Sequence, residues 1–197
     1  MNLLALSVGG WIGIAVAAVI VLLAIIFICW AIAVRNRFVK MRNQYEEAFA
    51  TIDIYLKKRY DLIPNLVETV KGYAKHESET LQRVIEARNN AASATTTAEK
   101  IEADANLSNA IKSFNVVIER YPELKANANF MDLSNQLKAI ETQLAEQRRY
   151  YNALVKKFNT ERELFPQSII AGLMHLTKVE YFQLASEEER QNVKVSF

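Results

Sequence analysis

Apolar and polar positions in this chain fall into long stretches whose period is helical. From Trp11 to Ala33 there is no charged residue, and the run is mostly Ile, Val, Leu and Ala, with Trp11 and Trp30 near its ends. Such a run of about 23 residues, at 1.5 Å rise each, crosses a hydrocarbon core of roughly 30 Å. A helix there satisfies its own backbone hydrogen bonds, and tryptophan is favoured at the membrane boundary. Residues 11–34 therefore predict one transmembrane helix, preceded by a short segment at 1–10. A cleaved leader is the competing expectation, because Ala31-Ile32-Ala33 imitates its processing site. The long apolar run and the lack of Lys or Arg in residues 1–10 oppose it. Cys29, behind the bulky Ile28, fits a lipoprotein processing site poorly and reads as a helix-surface residue.

Beyond the run the pattern predicts an all-α domain. Phe38, Met41, Tyr45, Ala48, Ile52 and Tyr55 recur three and four apart, and nothing before Asp61 breaks a helix. Pro64 predicts a kink or break near Asp61 to Pro64, with Asp61 as a cap. A second stripe follows, through Leu62, Leu66, Val70, Tyr73, Leu81, Val84 and Ile85 to about Asn90. The run Ala91 to Ala98, AASATTTA, reads as a loop. Thr96 and Glu99 have capping-box spacing and open a third helix. Its buried face would be Ile101, Ala105, Ser108, Ile111, Phe114, Ile118 and Tyr121, with Pro122 as the stop. Asn127 or Asn129 is expected to cap the longest helix, Phe130 to Glu163. Its seam is Phe130, Leu133, Leu137, Ile140, Leu144, Gln147, Tyr151, Leu154 and Phe158, as in a coiled coil, and Pro166 ends it. The fold class is all-α: a single transmembrane helix leading into an antiparallel long-helix bundle of four-helix type over residues 35–185, with a tail at 186–197.

Composition supports this, with only five Gly and three Pro. Every charged residue lies after Ala33, and the net charge of +2 opposes a nucleic-acid-binding surface. Arg35, Arg37, Lys40 and Arg42 follow the span at once, which predicts an outward N-terminus and a cytoplasmic domain. Near anionic headgroups each adds about 1 kcal/mol of attraction, so these four are the candidate membrane-surface residues.

Candidate chemistry is sparse. One cysteine excludes a disulfide framework, and the two histidines, His76 and His175, have no zinc-ligand spacing. The glycines form no phosphate-binding loop, and acidic pairs such as Glu46-Glu47 read as solvated charge. No catalytic, metal or cofactor residue is expected. Interaction candidates remain. Asn65, Glu68, Thr69, Gly72 and His76 share the face opposite Leu66 and Val70; this is either a solvated face or one that Gly72 opens to a second helix. Arg148 and Arg149 flank the long seam. Either both point to water, or Arg148 is partly buried against Glu68 or Asp61. The apolar segment with Ile169, Leu173 and Phe182 must be covered by its own bundle, a neighbour or the membrane. Phe197 ends an alternating run, Val193 to Phe197, which is either a disordered tail or a strand for a partner's sheet edge.

Several segments resemble one family. Arg59 to Glu77, RYDLIPNLVETVKGYAKHE, is similar to the signature of the LemA family. So are Ala92 to Ser108, Glu119 to Leu137, RRYYNALVKKFN at Arg148 to Asn159, and Phe165 to Phe197. Where the family pattern has Phe-Gly after AGL, this chain has Met174-His175. The resemblance implies a single N-terminal span, a cytoplasmic helical bundle at the bacterial inner membrane, and no established catalysis. The expected function is a self-associating scaffold whose partners are the bilayer and further copies of the chain. The alternative is an adaptor or regulator of a membrane protease or envelope-stress system, because some relatives are encoded near membrane zinc proteases and others act in internal membrane formation.

Overall fold

The apolar run and the first amphipathic stripe lie on one unbroken helix. A computed structural model describes residues 8–182, in which α1 runs from Val8 to Lys71. Residues 11–29 are all exposed, and the helix is long and apolar enough to cross a membrane. It is fit to anchor the chain there.

Pro64 sits inside α1, so the break expected near Asp61 to Pro64 is absent. Proline removes the N–H that would bond the carbonyl four residues back, here that of Tyr60. The orphaned Tyr60 carbonyl instead accepts from Arg88 Nε at 3.0 Å. A partner from another helix replaces the lost bond. The helix stops later, at Gly72, where the Val70 carbonyl accepts from both Tyr73 N and Ala74 N at 2.9 Å. A short 3₁₀ turn, Lys75–Glu77, follows. The second stripe is thus divided between α1 and α2, Ser78–Ser93.

The Ala91 to Ala98 loop is shorter than expected, because α2 runs to Ser93 and α3, Thr97–Glu119, begins four residues later. The capping box forms as read: Thr96 Oγ1 accepts from Glu99 N at 3.2 Å, and Glu99 Oε2 accepts from Thr96 N at 3.0 Å. Backbone N–H groups of Thr96 and Thr95 hold the Glu99 carboxyl at about 2, well below the usual carboxylate value. Pro122 does end the third stripe, as the first residue of the short α4, Pro122–Lys125. Then α5 runs from Ala128 to Glu163, with Asn127 Oδ1 accepting from Phe130 N at 3.0 Å as its cap. After a cis Phe165–Pro166 peptide comes α6, Gln167–Leu173.

Two compact units emerge. One comprises residues up to 44 with 157–178, the other 45–156 with the chain from 179 onward. In the larger unit α1, α2, α3 and α5 alternate in direction. Tyr60 of α1 meets Arg88 of α2; Asp53 and Arg59 meet Lys100 and Asp104 of α3; Phe49 and Arg59 meet Tyr151 and Glu141 of α5. Its core holds Ile52, Leu56, Ile63, Val70, Leu107, Phe114, Leu124, Leu144 and Val155, nearly all at helical spacing along their own elements. In the smaller unit Phe38 packs edge-on against Phe158, with ring centres 6.0 Å apart. Val34, Met41, Ile170, Ala171 and Leu176 are buried there as well.

The end of α6 has a defined backbone geometry. His175 N donates to the Gly172 carbonyl and Leu176 N to the Ala171 carbonyl, both at 3.0 Å, which is a Schellman termination. It requires a left-handed residue at position 175, and His175 has φ of +50°. Histidine tolerates this region better than most residues but lacks glycine's freedom.

Two substitutions probe these local solutions in unfolding of the detergent-solubilised chain. Arg88→Met should lower stability by about 1–3 kcal/mol by leaving a part-buried carbonyl bare. In a Pro64→Ala background, where residue 64 regains its N–H, most of that loss should vanish; equal losses in both backgrounds would refute the compensation. His175→Gly should raise stability by up to about 1 kcal/mol, since the left-handed strain relieved exceeds the added unfolded-state entropy. His175→Val should lower it, and the reverse order would show that position 175 is unstrained.

Candidate functional site

The residues that demand most explanation are charged and buried. Arg59 follows Leu56 by three positions and precedes Ile63 by four, so it lies on the apolar face of α1 and is only 1% exposed. Its Nη1 donates to Asp104 Oδ1 at 2.8 Å, and both Nη1 and Nη2 donate to Ser108 Oγ, at 3.2 and 3.1 Å. Nη2 also lies 2.7 Å from Glu141 Oε1, close enough for an ion pair though not aligned as a hydrogen bond. From α5, Arg148 Nη2 donates to the other Asp104 oxygen at 2.5 Å. Two buried guanidinium groups meet the buried Asp104 carboxylate, and the part-exposed Glu141 balances the remaining charge. Removing such groups from water costs several kcal/mol each, so the network contributes less to net stability than to register: only one rotation of α1, α3 and α5 closes it.

Arg148 has a second neighbour. Its guanidinium lies 5.6 Å from the centre of the Phe182 ring, which stacks on Phe49 at 5.8 Å and meets Tyr151 edge-on at 5.6 Å. Asn152 grips the backbone of Phe182 from both sides: Nδ2 donates to its carbonyl at 3.0 Å, and Oδ1 accepts from its N–H at 2.9 Å. Tyr151 Oη donates to the Glu180 carbonyl at 3.2 Å. Residues 179–182 are thus strapped along α5 and seal the network. Burial, chiefly, pushes the phenols of Tyr60 and Tyr151 up to about 12, and Asp104 adds to the effect on Tyr60. Both stay neutral at ordinary pH, and Tyr151 acts as a donor. Arg59, Ser108 and Glu141 also line an open groove of about 700 Å³, together with Lys112, Lys125 and Lys138. Among the described residues no group of three His, Cys, Asp or Glu is placed to hold a metal.

The residues singled out from sequence divide sharply. Arg148 is buried, but neither Glu68 nor Asp61 is its partner. Glu68 pairs with Lys71 and Asp61 with Lys57, each at 3.2 Å on an exposed surface. The partner is Asp104, which a search restricted to apolar positions passes over. It sits three residues after Ile101 and four before Ser108, on the same face. Arg149 is exposed. Phe182 is covered by its own unit, while Ile169 and Leu173 are exposed. Asn65, Glu68, Gly72 and His76 are exposed, and Thr69 Oγ1 donates to the Asn65 carbonyl at 2.8 Å. Of the basic flank, Arg35, Lys40 and Arg42 are exposed, and Arg37 pairs with Glu161. Phe197 lies outside the described residues.

The network joins segments far apart in the chain: Arg59 opens the first signature segment, Asp104 and Ser108 stand in the second, and Arg148, Tyr151 and Asn152 in RRYYNALVKKFN. A model of the LemA family matches residues 48–197. The chain belongs to the LemA family. Protein LemA of Metamycoplasma hominis is 25% identical, covering 82% of this chain and 74% of that protein. Magnetosome protein MamQ 2 of Paramagnetospirillum magneticum is 22% identical, over 86% of this chain and 72% of its own length. Magnetosome protein MamQ of Magnetospirillum gryphiswaldense is 20% identical, over 84% and 70%. Three of the segments that carry the LemA resemblance meet in this network, and Glu141 joins them from outside those segments.

If Asp104 is the centre of that core, Asp104→Ala should cost about 3–5 kcal/mol by stranding two buried guanidinium groups. A variant with Arg59→Met, Asp104→Leu, Glu141→Gln and Arg148→Met should recover most of the loss. Thermal unfolding followed by circular dichroism reads both. A fourfold variant less stable than the single one would show that the charges do more than set register.

Proposed function

We propose that the chain is a membrane-anchored, non-catalytic interaction scaffold that associates with copies of itself. Its N-terminus faces outward and its helical domain lies on the cytoplasmic side of the bacterial inner membrane. The observation that carries this reading is the disposition of its charged groups: the buried ones, Arg59, Asp104 and Arg148, are closed on one another, with the part-exposed Glu141 completing the network. A charged cluster whose members hold helices in register has a structural task. A scaffold needs such a rigid body, and the positive flank after the span supports the orientation.

Self-association draws on Gly72. A glycine just past a helix end is commonly there for a left-handed conformation, but among the described residues no glycine has positive φ. Nor does the chain's own packing need it. A Cβ added at Gly72 would meet only the Thr69 carbonyl, at 3.6 Å, an ordinary contact. The close approach that this glycine permits is therefore open to a second copy. An assembly role is also in keeping with relatives named as magnetosome proteins.

Light scattering of the full chain in mild detergent should give a discrete multiple of the chain mass. Gly72→Leu should shrink it while leaving helicity unchanged. A monomeric parent chain would overturn the scaffold reading, and an unaltered assembly in Gly72→Leu would remove that face from it.

A further inference from the structure

The end of α5 and the length of α6 carry apolar side chains on two sides. One side is used, since Ile170, Ala171 and Leu176 are buried. The other is open: Leu164, Phe165, Ile169 and Leu173 are 49, 80, 46 and 73% exposed. Ile169 and Leu173, four apart, share one face of α6, and Phe165 stands four residues before them. Leaving four large apolar side chains in water forfeits about 25 cal/mol for every Å² that a partner would cover.

Contacts inside the smaller unit fix the level of this patch along α1. Phe158 packs on Phe38 and Glu161 pairs with Arg37, so α5 advances toward lower numbers on α1. From Phe158 to Glu163 the helix rises about 7.5 Å, and the same rise carries α1 from Phe38 back to Ala33. Leu164 therefore lies beside Trp30 to Val34, and α6 follows it directly after the turn at Pro166. Burial along α1 agrees: residues 11–29 are exposed, Trp30 and Ala31 are half-buried, and Val34 is buried. That level is where the uncharged run gives way to Arg35, which in a spanning helix is the boundary between hydrocarbon and headgroups.

We propose that the Leu164–Phe165 turn and the Ile169–Leu173 face of α6 insert into the membrane interface beside the span, forming a second contact with lipid. This rests on the reading that α1 is embedded in a bilayer. Lipid is the occupant because the patch is continuous in level with the end of the apolar run, and because the same unit exposes Arg35, Lys40, Arg42, Lys157 and Lys178 to anionic headgroups. Interfacial elements of this kind sink their apolar face about 5–10 Å into the headgroup and acyl boundary. A lone span leaves a helix free to rotate about its own axis. A second contact at the boundary removes that freedom and gives α1 a fixed lipid-facing side.

The experiment uses the full chain in vesicles of phosphatidylcholine and phosphatidylglycerol, with an environment-sensitive fluorophore at one cysteine at a time. The sites are the native Cys29, and Leu173→Cys, Phe165→Cys and Ile54→Cys in a Cys29→Ser background; Ile54 is exposed in the larger unit. Probes at 165 and 173 should be quenched by lipids spin-labelled near the headgroup, and aqueous iodide should quench them several-fold less than the probe at 54. Iodide quenching at 165 and 173 equal to that at 54 would overturn the proposal. Protection from both iodide and lipid quenchers would also overturn it, because protein would then cover the patch. The probe at Cys29 separates the two readings. If lipid quenchers reach it and not 173, only the interfacial contact fails; if they do not reach Cys29, the anchor itself fails and the proposal with it.

Discussion

Asp104 is the residue around which the larger unit is arranged. A carboxylate 3% exposed is tolerated only if its charge is met, and here each oxygen faces a different guanidinium, one from α1 and one from α5. Apolar seams alone would let long helices of similar pattern slide by a turn or rotate by a residue at modest cost. Such a slip strands Arg59 or Arg148 in a medium that cannot solvate it, and the penalty exceeds what shifted apolar contacts recover. The network thus acts chiefly against wrong packings. The strap at 179–182 belongs to the same device, since Phe182 covers Arg148 while Asn152 and Tyr151 hold the strap by its backbone.

Helices were legible in the sequence wherever periodicity alone decides. The stripe from Phe38 to Ile52, the capping box at Thr96 and the seam from Phe130 to Phe158 all appear on the elements that their spacing implies. The readings that failed concern contacts between elements. Pro64 breaks a helix considered by itself, and only the position of Arg88, on another helix, makes the Tyr60 carbonyl safe. The partner of Arg148 failed for a similar reason. Glu68 and Asp61 lie on the surface, whereas a buried arginine needs an acid on an apolar face, where an acid looks like an interruption of the stripe. Asp104 beside Ala105 and Arg59 between Leu56 and Ile63 are such interruptions. A charged residue in phase with an apolar stripe is the signal that would have pointed to this core.

His175 shows a departure from the family pattern becoming intelligible once geometry is known. As sequence, Met174-His175 stands where the resemblance leads one to expect Phe-Gly. In the structure the second position is the left-handed residue of a helix termination, held by two backbone hydrogen bonds and by the burial of Ala171 and Leu176 on either side. The fold demands the conformation and only prefers the glycine. Histidine meets the demand at a local cost, which the two bonds and the buried pair offset.

A single rule, applied in two solvents, accounts for where this chain puts its charges. In water, an apolar face is covered by another helix, and a charge caught beneath that cover is matched by an opposite one, as at Asp104. In lipid the cover is the solvent itself, so the stretch from Trp11 to Cys29 needs no protein partner and carries no charge. The boundary between the two regimes falls at Trp30 to Val34, where α1 first becomes buried and the basic residues begin. A side chain at that level meets both conditions at once. Leu164 reaches that level at the end of α5, and with Phe165, Ile169 and Leu173 it forms an open apolar patch in a unit that exposes lysine and arginine, a combination unfavourable in water yet suited to the few ångströms in which acyl chains give way to headgroups.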